Sequence, residues 1–161
     1  MSTGRIAASA FGLLVGCVTT PGIVGLRPDG SPGPEPCPKK ALETMEILRL
    51  HPGDEQWIDL DMNKLGQLNI TVNDGPIESS LSDALGPLET RTRLYGQVWT
   101  RGPDVVIRYY QAQPLDAGGP LAICAVARLG DGQLRKKPGP APGSAILPFS
   151  EARVHIVDSF R

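Results

Sequence analysis

The chain has 161 residues, of which 40% are hydrophobic, 20% charged and 5% aromatic. This length allows one domain, and a formal net charge of -1 excludes the strongly basic surface of a nucleic-acid-binding protein. The 19 Gly and 16 Pro residues exceed a fifth of the chain. That composition argues against a helical bundle and favours strands and turns.

The first 16 residues have the features of a signal peptide. Arg5 provides a basic start, and residues 6–15 form an apolar run that is too short to span a bilayer. The run ends in the sequence LVGC, which resembles the lipobox of bacterial lipoproteins, where small residues precede a cysteine that accepts a diacylglyceryl group. We therefore predict lipidation at Cys17 and exclude residues 1–16 from the fold.

An ordinary secretory signal or an uncleaved buried helix is the alternative to a lipobox. Val18 follows the cysteine, and the best-known sorting rule directs such lipoproteins to the outer membrane. The first expected partner is therefore the membrane, through the acyl chains on Cys17. The domain would then face the periplasm or the cell surface.

Residues 17–36 differ in composition from the rest of the chain. They are rich in Pro and Gly and show almost no apolar periodicity. This composition predicts a tether that begins at the lipidated Cys17 and is extended in part as polyproline II. An irregular strand packed on the domain is the alternative. The single β-rich domain is expected to comprise residues 37–161.

Two cysteines, Cys37 and Cys124, remain for the folded domain. Export would place them in an oxidising compartment, which predicts one disulfide between the start of the domain and an apolar strand. Two separate buried thiols are the alternative. A metal pair is disfavoured because neither cysteine has another sulfur or a histidine at ligand spacing.

The domain begins with one predicted helix and continues as strands. Residues 38–50 carry apolar side chains at helical spacing and are followed by the helix-stopping residues HPG. Alternation with a period of two then predicts strands at residues 57–61, 67–73, 77–81, 92–100, 105–113, 121–129 and 152–158. The fold expected is α+β, mostly β, with one helix packed on an antiparallel sheet or small barrel of about six or seven strands.

Two connections between these strands carry specific predictions. The sequence NDGP at residues 73–76 predicts a turn between neighbouring antiparallel strands. Residues 135–144 begin with RKK and continue with PGPAPGS after the three basic residues, which predicts an exposed loop. The basic run would be solvated or would touch anionic lipid head groups.

Short sequence words spread over the domain resemble a group of small lipoproteins from myxobacteria. These words are CP at residues 37–38, DGP at 74–76, LYGQVWT at 94–100, RY at 108–109 and the segment from Pro120 to Cys124. The resemblance implies a lipid-anchored, β-rich domain with a bridge between Cys37 and Cys124. It implies no substrate.

Aromatic side chains are the candidates for ligand binding. Tyr95, Trp99, Tyr109 and Tyr110 are considered as a platform for a sugar or a peptide, and the alternative places Trp99 and Tyr109 in the core. Tyr109 and Tyr110 are neighbours on one predicted strand and must point to opposite faces. At least one of the two therefore faces outward or lines a cleft.

Patterns for catalysis and metal binding are weak. His51 follows the helix and His155 alternates with apolar residues, and no serine lies in a Gly-x-Ser-x-Gly elbow. Residues 59–63 (DLDMN) imitate the start of a calcium loop, but Lys64 occupies the position that requires glycine. We expect a strand end with a polar face there, and no enzyme activity, cofactor or metal.

The function expected from these patterns is a structural or interaction module of the cell envelope, anchored in the outer membrane. Its partner would be a protein or another envelope component, and no nucleic acid. The alternative is a β-barrel lipoprotein that binds a small ligand or inhibits a hydrolase. An apolar pocket beside Tyr95 or Tyr110 would favour that alternative.

Overall fold

The computed structural model describes residues 24–130 and 132–161. The predicted signal peptide, Cys17 and the start of the predicted tether lie outside the described residues. The described elements are β1 (Glu35–Pro36), α1 (Lys39–Ile47), β2 (Glu55–Asp59), β3 (Ile70–Asn73), β4 (Gly75–Leu81), β5 (Arg93–Trp99), β6 (Asp104–Gln113), β7 (Leu121–Arg128), β8 (Leu134–Arg135), β9 (Ser144–Leu147), β10 (Glu151–Ile156) and β11 (Ser159–Phe160).

Six strands form a closed antiparallel barrel. Around the barrel they follow the order β2, β4, β5, β6, β7 and β10, and β10 pairs back to β2 with Glu151 opposite Asp59. The strand β8 pairs with the start of β6 as an additional strand. The structure therefore confirms the prediction of a mostly β fold with one helix and a small barrel.

Side chains fill the interior of this barrel. Along β6, Val105, Ile107 and Tyr109 point inward and are fully buried. The Tyr109 hydroxyl lies 2.7 Å from Ser79 Oγ, which donates to the carbonyl oxygen of Leu60 at 2.6 Å. The buried hydroxyls of Tyr109 and Ser79 are thus both hydrogen-bonded among these apolar side chains. A barrel with so few strands encloses side chains rather than a ligand cavity.

Gly96 allows two barrel strands to approach each other closely. The pairing between β5 and β6 shifts register at this residue, which marks a β-bulge. A Cβ atom on Gly96 would overlap the carbonyl oxygen of Arg108 and would lie 2.8 Å from Cδ1 of Tyr109. Only glycine leaves room for the backbone contact at this position.

Helix α1 covers the outer face of β7. Ala41 and Met45 are its buried residues, and the backbone N–H of Cys124 donates to Met45 Sδ at 3.4 Å. The helix ends at Ile47, earlier than predicted, because Arg49 adopts a left-handed backbone with φ of 54°. Within the described residues, no helix has the length and apolarity needed to cross a membrane.

A disulfide joins Cys37, two residues before α1, to Cys124 in the barrel wall. Cys37 and Cys124 have an S–S distance of 2.01 Å and a Cα–Cα distance of 6.1 Å. Both residues are buried, and Cys124 points outward from β7 toward α1. The pairing predicted from the sequence is the one that the structure contains.

The strands β3 and β9 form a separate two-stranded ribbon. Ile70 lies opposite Leu147, and both side chains belong to the core. The chain changes direction after Asp74, where Gly75 has φ of 128°, but β4 then pairs with β5 and β2. The predicted change of direction at NDGP is therefore present, but the two strands that it joins pair with other strands.

The basic run RKK is only partly exposed. Arg135 belongs to β8, and Lys136 Nζ donates to the carbonyl oxygens of Thr100 and Gly102 at 2.5 and 2.7 Å. Lys137 Nζ donates to the side chain of Asn69 at 2.7 Å. Arg135 and Lys137 are exposed, as predicted, whereas Lys136 is half-buried with its ammonium group on two carbonyl oxygens.

Residues 24–36 fold back on themselves, and residues 31–36 pack on the barrel. The N–H of Gly33 donates to the carbonyl oxygen of Gly25 at 2.7 Å, Ser31 is buried, and β1 pairs with β11. We name residues 24–36 together with β11 the clasp. The prediction of a free tether is wrong for these residues, and the folded region begins before Cys37. The remaining tether residues, 17–23, lie outside the described part of the chain.

Asp74 fastens the corner between β3 and β4 to the end of β5. Its carboxylate accepts hydrogen bonds from the backbone N–H and the hydroxyl of Thr100, and it pairs with Arg101 at 3.1 Å. Partial burial opposes ionisation of Asp74, but the hydrogen bonds from Thr100 and the charge of Arg101 outweigh it and lower its pKa. The ionised carboxylate thus stabilises the folded chain.

We expect the double variant Cys37→Ala/Cys124→Ala to lose about 4 kcal/mol of unfolding free energy, because the bridge closes a long loop in the unfolded chain. Urea denaturation of the full chain measures the loss. Reduction of the wild type with dithiothreitol should reproduce most of it and should leave the double variant unchanged. Two free thiols in the folded, exported protein would contradict the bridge.

We expect Asp74→Asn to lower the unfolding free energy by about 1 kcal/mol at pH 7, since hydrogen bonds to a partly exposed carboxylate are lost. Because the folded pKa lies below the ordinary value of about 3.9, the stabilisation is present above that value and disappears as the pH falls through the folded pKa. Thermal melts between pH 7 and pH 2 should converge for the two proteins. A constant difference would contradict this; the exposed Asp116→Asn is the control.

Candidate functional site

The four predicted aromatic residues do not form one platform. Tyr109 lies inside the barrel and is fully buried. Tyr95 and Trp99 lie on the outer face of β5, four residues and therefore about 13 Å apart, and Tyr110 is half-buried on the outer face of β6. The core interpretation is confirmed for Tyr109, whereas Trp99 lies outside the barrel wall.

Trp99 instead forms one side of a cluster around Arg108. This arginine is 1% exposed, although it points outward from β6. Its guanidinium carbon lies 5.5 Å from the ring centroid of Trp99 and 5.0 Å from that of Phe160 in the clasp. Both distances fall within the range of cation–π attraction. The arginine therefore joins the barrel wall to the C-terminal strand.

The remaining contacts of Arg108 are with the N-terminal half of the clasp. Its Nη2 donates to the carbonyl oxygen of Gly33 at 2.8 Å, and its Nη1 lies 3.4 Å from Glu35 Oε2. The hydroxyl of Tyr110 donates to the same oxygen of Glu35 at 3.0 Å. These contacts occupy the polar groups of the cluster, and the clasp covers its rings. The cluster is a structural joint between the clasp and the barrel.

Burial changes the acid–base behaviour of this cluster. Burial lowers the pKa of the Arg108 guanidinium, and the negative charge of Glu35 opposes this decrease. Burial, followed by the negative charge of Glu35, raises the pKa of the Tyr110 hydroxyl. The guanidinium remains charged and the phenol neutral at physiological pH, which is the state in which both can donate to Glu35.

A groove of about 690 Å³ crosses the outer face of β2, β4 and β5. We name it the outer groove. Its lining residues include Asp59, Leu65, Ser80, Arg91, Leu115 and Glu151. An opening of about 250 Å³ lies beside Lys136, and one of about 120 Å³ lies beside Asp74. The charged groups of both residues already have partners in the protein.

The outer groove has acidic groups at one end and a basic group at the other. Asp59 and Glu151 lie directly opposite each other on β2 and β10, and Arg91 lies in the connection that precedes β5. The leucines Leu65 and Leu115 are 54% and 60% exposed. The sequence analysis predicted a polar strand end at Asp59. It did not predict that Ser80, Arg91 and Glu151 line the same groove.

The two histidines lie beside carboxylates, His51 on the surface and His155 half-buried in β10. His51 Nδ1 is 3.7 Å from Asp54, and His155 Nδ1 is 3.2 Å from Glu55. Within residues 24–130 and 132–161, no group of three or more His, Cys, Asp or Glu side chains could hold a metal ion. That neither histidine is catalytic stays a prediction.

We expect Glu35→Ala to loosen the clasp, because the buried Arg108 then loses its counter-charge and Tyr110 its acceptor. The cost should be about 1–3 kcal/mol, as for a hydrogen-bonded charged group. Hydrogen exchange measured by mass spectrometry should speed up within residues 24–36 while the barrel strands stay protected. Glu46→Ala, on the exposed side of α1, is the matched control. Unchanged protection of residues 24–36 would contradict the role of Glu35.

Comparison with known proteins identifies no relative of this chain. No protein family matches it, and neither a curated protein nor a solved structure matches it. The residues of the chain and the geometry of its barrel, clasp and outer groove are therefore the basis for a functional assignment.

Proposed function

We propose that this chain is a bacterial lipoprotein, anchored in the outer membrane through Cys17, whose barrel is a structural or interaction module of the cell envelope. The observation that carries the proposal is the buried pair of Cys37 and Cys124 at bonding distance. Disulfides persist in oxidising compartments outside the cytoplasm. The apolar signal segment and the sequence LVGC before Val18 provide a route to such a compartment.

The filled barrel favours binding at the surface over binding inside. Tyr109 and the apolar side chains around it occupy the centre, whereas barrels that carry a small ligand need an open lumen. Tyr110 donates its hydroxyl to Glu35 within the clasp. These contacts favour an interaction module over the small-ligand alternative, and the outer groove is where we expect a partner to bind.

The proposal contains no catalytic step. The titratable groups that the structure brings together serve stability: Asp74 at its corner, Glu35 with Arg108, and Lys136 on two carbonyl oxygens. Its partners are the membrane, through the lipid, and a protein or another envelope component, through the barrel surface. With a net charge of -1, no nucleic acid is proposed.

We expect the full chain, expressed in a bacterial host, to incorporate labelled palmitate and to partition into detergent. Cys17→Ser should do neither, because the lipid-accepting thiol is absent. The double variant Cys37→Ser/Cys124→Ser is the control and should keep the label, since lipidation needs only Cys17. Equal labelling of the wild type and Cys17→Ser would overturn the proposal.

The membrane assignment has its own test in the same host. Val18→Asp changes only the residue after the lipidated cysteine, which the best-known sorting rule uses to retain lipoproteins in the inner membrane. We expect the wild type in outer-membrane fractions and Val18→Asp in inner-membrane fractions, in a host that follows this rule. Recovery of the wild type in the inner membrane would contradict the outer-membrane location.

A further inference from the structure

The outer groove is built on one row of side chains that crosses four strands. Glu151 lies opposite Asp59, Asp59 opposite Ser80, and Ser80 opposite Arg93. Neighbouring strands are about 4.8 Å apart, so Asp59 and Arg93 are about 10 Å apart across the row. The row therefore begins with two acidic side chains, continues with the hydroxyl of Ser80 and ends with a basic side chain.

The two acids at one end of the row lack a cation. In the described part of the chain, neither Asp59 nor Glu151 forms an ion pair or a side-chain hydrogen bond. Like charges directly opposite each other on paired strands repel and destabilise the pair. A ligand ammonium placed between the two carboxylates would remove that repulsion and would donate a hydrogen bond to the carboxylate on each side.

Ser80 supplies a second, independent indication of a ligand. It lines the floor of the outer groove and is only 5% exposed. Its hydroxyl has no hydrogen-bond partner among the residues that the structure describes. The hydroxyl is therefore open to the groove, where it can form a hydrogen bond with a bound molecule.

Arg91 is the basic group that remains available at the other end. Arg93 already pairs with Glu78 at 2.8 Å, whereas Arg91 has no ion pair in the described residues. The backbone of Arg91 has φ of 66°, and its N–H donates to the carbonyl oxygen of Leu81. An arginine in this left-handed region is uncommon, and such outliers concentrate at binding sites.

The length of the outer groove limits the size of the ligand. Asp59 lies about 10 Å from Arg93 across the row, Arg91 lies two residues before Arg93 in the chain, and an extended peptide spans about 3.3–3.6 Å per residue. About three residues therefore cover the width of the row. The exposed side chains of Leu65 and Leu115 also line the groove, where they are available to contact an apolar side chain of the ligand.

We propose that the outer groove binds a short peptide of about three residues by its two free ends. The amino group lies between Asp59 and Glu151, the carboxylate lies on Arg91, and Ser80 hydrogen-bonds the peptide backbone. This inference rests on the interaction role proposed above and names the chemical class of the partner: a free zwitterionic peptide with an apolar central side chain.

The test uses the full chain, purified in detergent, and the tripeptide Ala-Leu-Ala with free ends. Isothermal titration calorimetry should show binding to one site. N-acetyl-Ala-Leu-Ala, which lacks the ammonium, and Ala-Leu-Ala amide, which lacks the carboxylate, should each bind at least about tenfold more weakly, in line with loss of one charged contact. No binding of Ala-Leu-Ala, or equal binding of all three peptides, would overturn the proposal.

Variants of the groove assign each end of the peptide. Asp59→Asn/Glu151→Gln should bind the free and the N-acetylated peptide equally, because the ammonium no longer has a partner. Arg91→Gln should likewise bind the free acid and the amide equally. Arg49→Gln is the matched control, since Arg49 also has a positive φ and lies after α1, outside the lining of the outer groove. Retention of full selectivity by the groove variants would contradict the assignment.

Failure of this inference can be told apart from failure of the proposed function. Every groove variant should incorporate palmitate at Cys17 as the wild type does, and its thermal melt should show that the barrel is folded. Normal lipidation without peptide binding would overturn the groove assignment alone. Peptide binding by a chain that takes up no palmitate would overturn the anchored role and leave the groove assignment standing.

Discussion

Pairing between β2 and β10 is the constraint on which the rest of the structure depends. The two strands stand near opposite ends of the folded sequence, and their pairing from Glu151 to His155 closes the sheet. Closure removes the open edges at which β-sheets associate and gives every strand an inner face. The entropy lost in joining such distant segments is offset by the apolar side chains buried inside. The helix, the ribbon and the clasp are all attached to this closed wall.

The barrel strands could be predicted where a buried inner face alternates with a partly exposed outer face. This period of two is a local property of the sequence and is clearest in β10, in which every second residue is buried. The short strands β1, β8 and β11 have two residues each, too few to show a period. They exist only because a distant strand presents its free backbone groups to them, as β6 does to β8.

Long-range register explains why the sites were harder to predict than the strands. Tyr95, Trp99, Tyr109 and Tyr110 could be identified as candidates from the sequence, but whether a ring faces the lumen, the clasp or solvent depends on strand pairing. The signal for the clasp was Arg108, a charge within the otherwise apolar segment VVIRYY. The outer groove had no such signal, because Glu151, Asp59 and Ser80 belong to three separate segments that only the barrel register aligns.

The clasp also sets how far the barrel can stand from a membrane. Pro-rich residues up to 36 would, as a free linker, separate the domain from its anchor by roughly 60 Å. The carbonyl oxygen of Gly25 accepts a hydrogen bond from Gly33, which is buried, so Gly25 is already fixed to the folded part. Eight residue steps from Cys17 to Gly25 span at most about 29 Å. A lipid on Cys17, as proposed, would therefore keep the domain close to the lipid head groups, within reach of partners at the membrane surface.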